Sequence, residues 1–307
     1  MIISFFCDTN LPNYLSQPEA YRYLHGRHSA TGYYYWLLKN HNVEVHLNHS
    51  APDVVIFHYD NKDSIVGMQC KKIQVVTDRP MVEGCDIYVA ANQSFFKKVT
   101  DIKTIKRYGL TNTLNTWLTD SSKWRFVHYP PTFGIKKCAP KFPPKYYNFI
   151  GRQHTLIKEL YDQNFIETCK THDIHLCFDF VNDINTGEEE VYFCVRNPRD
   201  TCKVTKLDNN SGKYGHRTAN RLYQAWAMRV PGIFNSSPEM AAIKTNEYDF
   251  LVADSAQEFL EQALRLKTDS TLFKNMIENG ISKDKINPYI DVNIIVEQWK
   301  SIFVELK

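Results

Sequence analysis

The feature that most constrains this chain is a recurrence of short apolar runs, each followed by a polar or amphipathic connection. The runs 2–7, 43–47, 53–57, 72–76, 86–90 and 125–128 are of strand length and rich in Val, Ile and Phe. Ile2–Cys7 is apolar without interruption, as a strand covered on both faces must be. Strands separated by helix-length connections predict a doubly wound parallel sheet, and such sheets place ligands beyond the carboxyl ends of their strands. Asp8, Asp78 and Asn92 each follow such an end. The helix expected over Gly32–Asn40 turns Tyr33, Trp36 and Leu37 to the sheet, with Ser29 or Thr31 as its cap.

A second set of elements follows a break. The segment from Gly134 to Lys145 holds three prolines and four lysines, carries no periodicity and reads as a linker. Strands are then expected at 147–152, 174–178, 191–195 and 232–234. Helical periodicity marks 156–169, 256–266, 270–280 and 292–306, the last carrying Ile295, Val296, Trp299, Ile302 and Phe303 on one face. With 307 residues, two domains are expected. They are an N-terminal Rossmann-like domain at 1–133, a linker at 134–146 and a second Rossmann-like domain at 147–288. The helix within 289–307 is expected to return to the first domain. The second half repeats the architecture of the first with no repeat in sequence.

Composition narrows the function. The net charge of +3 comes from interleaved acids and bases with no long basic block, which argues against a nucleic-acid partner. No apolar run approaches the roughly 20 residues that span a bilayer, and the opening run meets Asp8 at once, reading as a strand and not a leader. Eight cysteines lie scattered beside apolar residues without CxxC spacing. They read as buried thiols of a reducing compartment, so a cytoplasmic protein is expected.

Function is concentrated in the stretch from Lys213 to Glu239. A basic loop enters a helix whose buried face is Leu222, Ala225, Trp226 and Val230, Pro231 stops that helix, and Gly232-Ile233-Phe234 reads as a buried strand. Asn235-Ser236-Ser237-Pro238 then turns. Backbone N–H groups at a helix start, joined by Arg217 and Arg221, make a site for a diphosphate.

This stretch resembles the donor-binding segment of glycosyltransferases of the GT-B fold, distantly those of family 4 and family 1. Phe149-Ile150-Gly151-Arg152, Val195-Arg196 and the turn at 127–131 fall in the matching order. The resemblance implies two doubly wound Rossmann-like domains facing each other across a cleft, and transfer of a hexose or pentose in glycan biosynthesis. The partners it implies are a UDP- or GDP-sugar donor and a carbohydrate acceptor. It places Arg152, Arg196, Arg217 and Arg221 on the donor phosphates, Asn220 on phosphate or ribose, and Gln224 and Glu239 on ribose or sugar. Thr31 and Gly32 fall on the acceptor side. Two departures matter: His216 and Gln224 stand where retaining family 4 enzymes carry glutamates, and Arg229 replaces the glycine usual before the Val-Pro turn.

With those glutamates missing, inversion is the expected stereochemistry, which requires a base within hydrogen-bond reach of the attacking hydroxyl. Asp78 leads, with His28 and Asp8 as alternates; an Asx turn before Arg79-Pro80 is the structural alternative for Asp78. Arginines and a helix start can stabilise the leaving group, so neither metal nor cofactor is expected. A nucleotide-sugar epimerase of the same fold and a non-catalytic carbohydrate-binding module are the competing classes. A dehydrogenase is disfavoured because no GxGxxG follows either first strand.

Overall fold

The computed structural model describes residues 1–7, 29–77, 81–100, 120–129, 137–150, 156–179, 190–194, 219–236, 238–286 and 291–307. These form two compact units. The first is drawn from Met1–Pro130 together with Val292–Lys307, the second from Pro131–Cys202 together with Ala219–Asp291.

The first unit holds a parallel sheet of β1 (Ile3–Phe6), β2 (His46–Leu47), β3 (Val54–His58), β4 (Lys71–Val76), β5 (Ile87–Ala90) and β6 (Trp124–Phe126), in the order β2-β1-β3-β4-β5-β6. The side-chain alternation of β1 assigns its two faces. Phe5 meets Tyr35 of α1 (Ser29–Asn40) and Trp299 of the final helix Val292–Glu305. Phe6 joins Phe57, Tyr88 and Trp124 on the other face, where Phe95 of α2 (Gln93–Thr100) packs edge-on against Trp124. The final helix is further tied to this unit by Arg125 on Glu305, by Lys71 on the Leu306 carbonyl and by Gln298 on the His128 amide.

The second unit holds β7 (Tyr146–Ile150), β8 (His175–Asp179), β9 (Val191–Cys194), β10 (Gly232–Phe234) and β11 (Leu251–Val252), all parallel, in the order β11-β10-β9-β7-β8. Renumbered within the unit this is 2-1-3-4-5, the winding that β1 to β5 follow in the first unit. Around it lie α3 (Gln163–Thr171), α4 (Asn220–Met228), α5 (Pro238–Ile243), α6 (Ala256–Thr268) and α7 (Ser270–Ile286); the final helix is α8. The linker residues described here rest on this unit. Cys138 donates to the Met228 carbonyl, the ring of Phe142 tilts against Phe273, and Lys145 donates to Glu190.

Local chemistry moved several boundaries. The periodic pattern over 156–169 is two elements, because the carboxylate of Asp162 accepts from the amides of Asn164 and Phe165 and starts α3 afresh after the short 3-10 turn Lys158–Tyr161. The run 43–47 pairs only at His46–Leu47. Asn92, marked in the sequence as a ligand-side polar residue, instead caps α2, its carboxamide accepting from the Phe95 amide at 2.7 Å. Helix α7 runs through Gly280, which packs against Trp226: a Cβ there would lie 3.4 Å from the indole, an ordinary contact.

Arg229 explains the absent glycine. It lies in the left-handed region at φ 65°, with its amide on the Trp226 carbonyl and the Val230 amide on that of Ala225. This is a Schellman ending, at which glycine carries no steric penalty. An Arg229→Gly variant is therefore expected to gain about 1 kcal/mol of stability in denaturant unfolding; a loss would show that the half-buried stem of Arg229 contributes more by packing.

Candidate functional site

In the second unit the chain enters at β7, steps outward to β8 and returns on the far side to β9, so the strand order reverses between β7 and β9. Outside the carboxyl ends at such a reversal a crevice opens that neither connection fills. Helix α4 follows β9 and therefore starts at this edge. Its first turn carries Arg221, whose guanidinium lies over the ring of Phe149 at 5.0 Å from the centroid. Phe149 is the penultimate residue of β7. The stack thus spans the reversal and holds a cation beside the helix start, the positive end of its dipole. A guanidinium on an aromatic face keeps its in-plane N–H donors for other partners.

The rest of α4 is built to keep that end in place. Leu222, Ala225, Trp226 and Met228 are buried in the core of the unit. The indole N–H of Trp226 donates to the Asp249 carbonyl at 3.1 Å. Gln224, one turn from Asn220 and half-buried, lies further along the same helix.

The neighbouring strand ends are fixed by side chains. Ser236, just beyond β10, donates from its amide and its hydroxyl to the two oxygens of Asp254 at 2.8 and 2.6 Å, and its carbonyl accepts from Asn235. Ser255 caps α6 by accepting from the Glu258 amide, and Glu258 accepts from the Asp254 amide. This is a variant of the capping box.

In the first unit the same edge is polar. The Cys7 thiol meets the Thr31 hydroxyl at 3.0 Å, both buried, and the Asn48 carboxamide exchanges two hydrogen bonds with the Cys7 backbone. Thr31 thus turns its hydroxyl to the strand end, and Gly32 beside it is buried. His58, buried at the end of β3, has Nε2 2.8 Å from the Thr77 hydroxyl and Nδ1 3.5 Å from the Asp60 carboxylate. His128, after β6, is buried against Phe126, and burial lowers its pKa to about 4. Burial also pushes the thiols of Cys85 and Cys169 up, to about 12 and about 11, so both are protonated and unreactive at neutral pH.

Of the residues singled out in the sequence, the structure thus places Arg221, Gln224, Thr31 and Gly32, together with the backbone positions of Asn220 and Glu239 at the starts of α4 and α5. Asp8, His28, Asp78, Arg152, Arg196, His216 and Arg217 lie outside the described residues. Phe149 and Ser236 entered the sequence reading only as parts of a strand and a turn, and Asp254 did not enter it. The signature Ser255-x-x-Glu258 was the one local signal near Asp254; nothing local relates Phe149 to a residue 72 positions away. Among the described residues no group of three or more His, Cys, Asp or Glu side chains is placed to hold a metal ion, and no helix is long and apolar enough to cross a membrane.

No protein-family model and no curated protein sequence matches the chain. Solved structures do. The crystal structure of Anabaena Alr3699/HepE in complex with UDP superposes with a TM-score of 0.57 at 10% identity, covering 99% of this chain and 100% of that one. Sucrose-phosphate synthase from Thermosynechococcus elongatus gives 0.56 at 9% identity over 83% of this chain and 74% of that one. An S. aureus TarM variant in complex with fondaparinux, alpha-GlcNAc-glycerol and UDP gives 0.54 at 9% identity, over 81% and 55%. The fold of this chain is the GT-B fold that these structures share.

Proposed function

We propose that this protein is a glycosyltransferase that moves a sugar from a nucleotide-diphosphate donor to a carbohydrate acceptor. The observation that carries the reading is Arg221, stacked on Phe149 where the strand order reverses and beside the N-terminus of α4. That constellation suits a diphosphate: a guanidinium held over an aromatic ring at a helix N-terminus brings a fixed cation and the positive end of the helix dipole to one place. Solved proteins of the same fold with UDP bound support this choice of ligand. UDP- and GDP-sugars are the proposed donors, and Arg152, Arg196 and Arg217 are proposed to add their charge to the same phosphates. Asn220, Gln224 and Glu239 are the proposed contacts to ribose and sugar.

In the proposed reaction an acceptor hydroxyl oxygen bonds to the anomeric carbon as the bond from that carbon to the diphosphate breaks. The acceptor proton passes to a general base, proposed to be the Asp78 carboxylate with the Asp8 carboxylate or the His28 imidazole as alternates, and the nucleoside diphosphate leaves with the electron pair. Its added charge falls on Arg221 and the start of α4, which act as the electrophilic partner without metal or cofactor. Inversion is the proposed outcome, since Gln224 and His216 supply neither of the glutamates of the retaining enzymes.

Calorimetry with UDP, GDP and their sugars tests this. Wild-type protein is expected to bind one of them, and Arg221→Ala and Arg152→Ala each to weaken that binding by about 10- to 100-fold, the worth of one charge-assisted contact. Unchanged affinity in both variants would overturn the donor site. Near-normal transfer by Asp78→Asn would remove Asp78 as the base.

A further inference from the structure

We infer that Asp254 is a positioning residue of the donor site, holding the loop after β10 in the shape that receives the nucleotide. The inference rests on the function proposed above. Its basis is a register: Ile233 pairs with Leu251 and Phe234 with Val252, and the Ala253 amide donates to the Phe234 carbonyl as the last backbone bond of the ladder. Two residues beyond the Phe234–Val252 pair, the same register sets Ser236 opposite Asp254. There the side chain takes over from the backbone, the carboxylate accepting from the amide and from the hydroxyl of the same serine. With the Ser236 carbonyl taken by Asn235, itself buried, every polar group of Ser236 is engaged within a loop that is exposed to solvent.

Two elements depend on this clamp. Ser236 leads directly into α5, which begins at Pro238 and carries Glu239; Asp254 leads into α6, capped by Ser255. Both helices start at the carboxyl edge that bears Arg221. An exposed pair of this kind adds little to global stability. Its effect is to reduce the freedom of a short loop, and a pre-ordered loop binds its ligand without first losing that entropy. Asp254 itself touches no reacting atom in this assignment.

The test compares Asp254→Ala, Asp254→Asn and Ser236→Ala in the full chain, by calorimetry with whichever of UDP, GDP and ADP the wild-type protein binds best. Asp254→Ala is expected to weaken binding about tenfold and to raise the donor KM in step, with kcat within about threefold. Asp254→Asn is expected to stay within about twofold of wild type, because its carbonyl oxygen still accepts from the Ser236 amide and its NH2 donates to the Ser236 hydroxyl. Ser236→Ala loses one of the two bonds and is expected between them. The melting temperature of all three should remain within about 2 °C of wild type, and amide exchange at Ser236 should accelerate in Asp254→Ala alone. Wild-type affinity in Asp254→Ala overturns the inference. So does an equal loss in Asp254→Asn, or a loss matched by a fall in melting temperature, which marks a merely structural pair. If the wild-type protein binds none of the three nucleotides, the donor-site reading fails and this inference with it. Binding by wild type that Asp254→Ala leaves intact sinks only the inference.

Discussion

Asp249→Ala is expected to destabilise the second unit by about 3–5 kcal/mol, lowering its melting temperature by on the order of 10 °C. The carboxylate of Asp249 is fully buried. One oxygen accepts from the Thr245 amide at 2.5 Å, the Thr245 hydroxyl at 2.9 Å and the Asn246 amide at 3.0 Å. The other accepts from Asn279 at 2.9 Å and faces the Lys283 ammonium at 3.3 Å. Burial by itself would push this carboxyl up, but the hydrogen bonds from Asn279, Thr245 and Asn246 outweigh it and hold the group below its ordinary value, hence ionised. Alanine would leave these donors buried around an empty acceptor, which costs more than the net worth of the bonds themselves. The damage would reach the site as well. The Asp249 carbonyl holds the Trp226 indole, and Lys283 lies over the same ring, so α4 and its Arg221 are seated on this hub. Thermal unfolding followed together with nucleotide affinity checks both effects. A variant melting within about 2 °C of wild type would show that water replaces the carboxylate at little cost.

Acid is expected to destabilise the first unit through His128 by up to about 3 kcal/mol. In the unfolded chain this imidazole titrates at its ordinary 6.5; in the folded unit burial lowers it to about 4. Its surroundings explain why the charged form is resisted. The ring lies edge-to-face on Phe126 with centroids 4.5 Å apart, and its backbone is held by the Tyr34 hydroxyl and the Gln298 carboxamide. Between these two pKa values the unfolded state binds the extra proton, so stability rises with pH there. It is fully present above about 6.5, declines as pH falls, and is spent below about 4. Denaturant unfolding from pH 7 to pH 4 should show this limb, and His128→Leu should flatten it. An unchanged slope in that variant would assign the acid sensitivity to other groups.

Much of the fold was legible because parallel strands buried on both faces must be apolar throughout. β1, β3, β4, β5, β7, β8 and β10 all lie within one or two residues of their expected positions. The failures share a cause. β11 has only two residues, too few to show a period, and exists because Phe234 supplies a partner at the edge of the sheet. α2 was hidden behind a polar Asn92 whose purpose is to cap it. Gly280 looked like a helix end, yet α7 continues through it to Ile286.

The amino-acid sequence by itself determined the alternation of strand and helix and the helix, carrying Arg221 in its first turn, that became α4. Those follow from local periodicity, proline and charge, which act over a few residues. Only the tertiary structure decided that Arg221 stands on Phe149, that Asp254 carries the β10–β11 ladder onto Ser236, and that the Asp249 carboxylate joins the loop after α5 to α7. Each of these joins groups 18 to 72 residues apart in the chain. Such encounters are set by strand order and by the desolvation of polar groups brought together, and neither leaves a pattern in the neighbouring sequence.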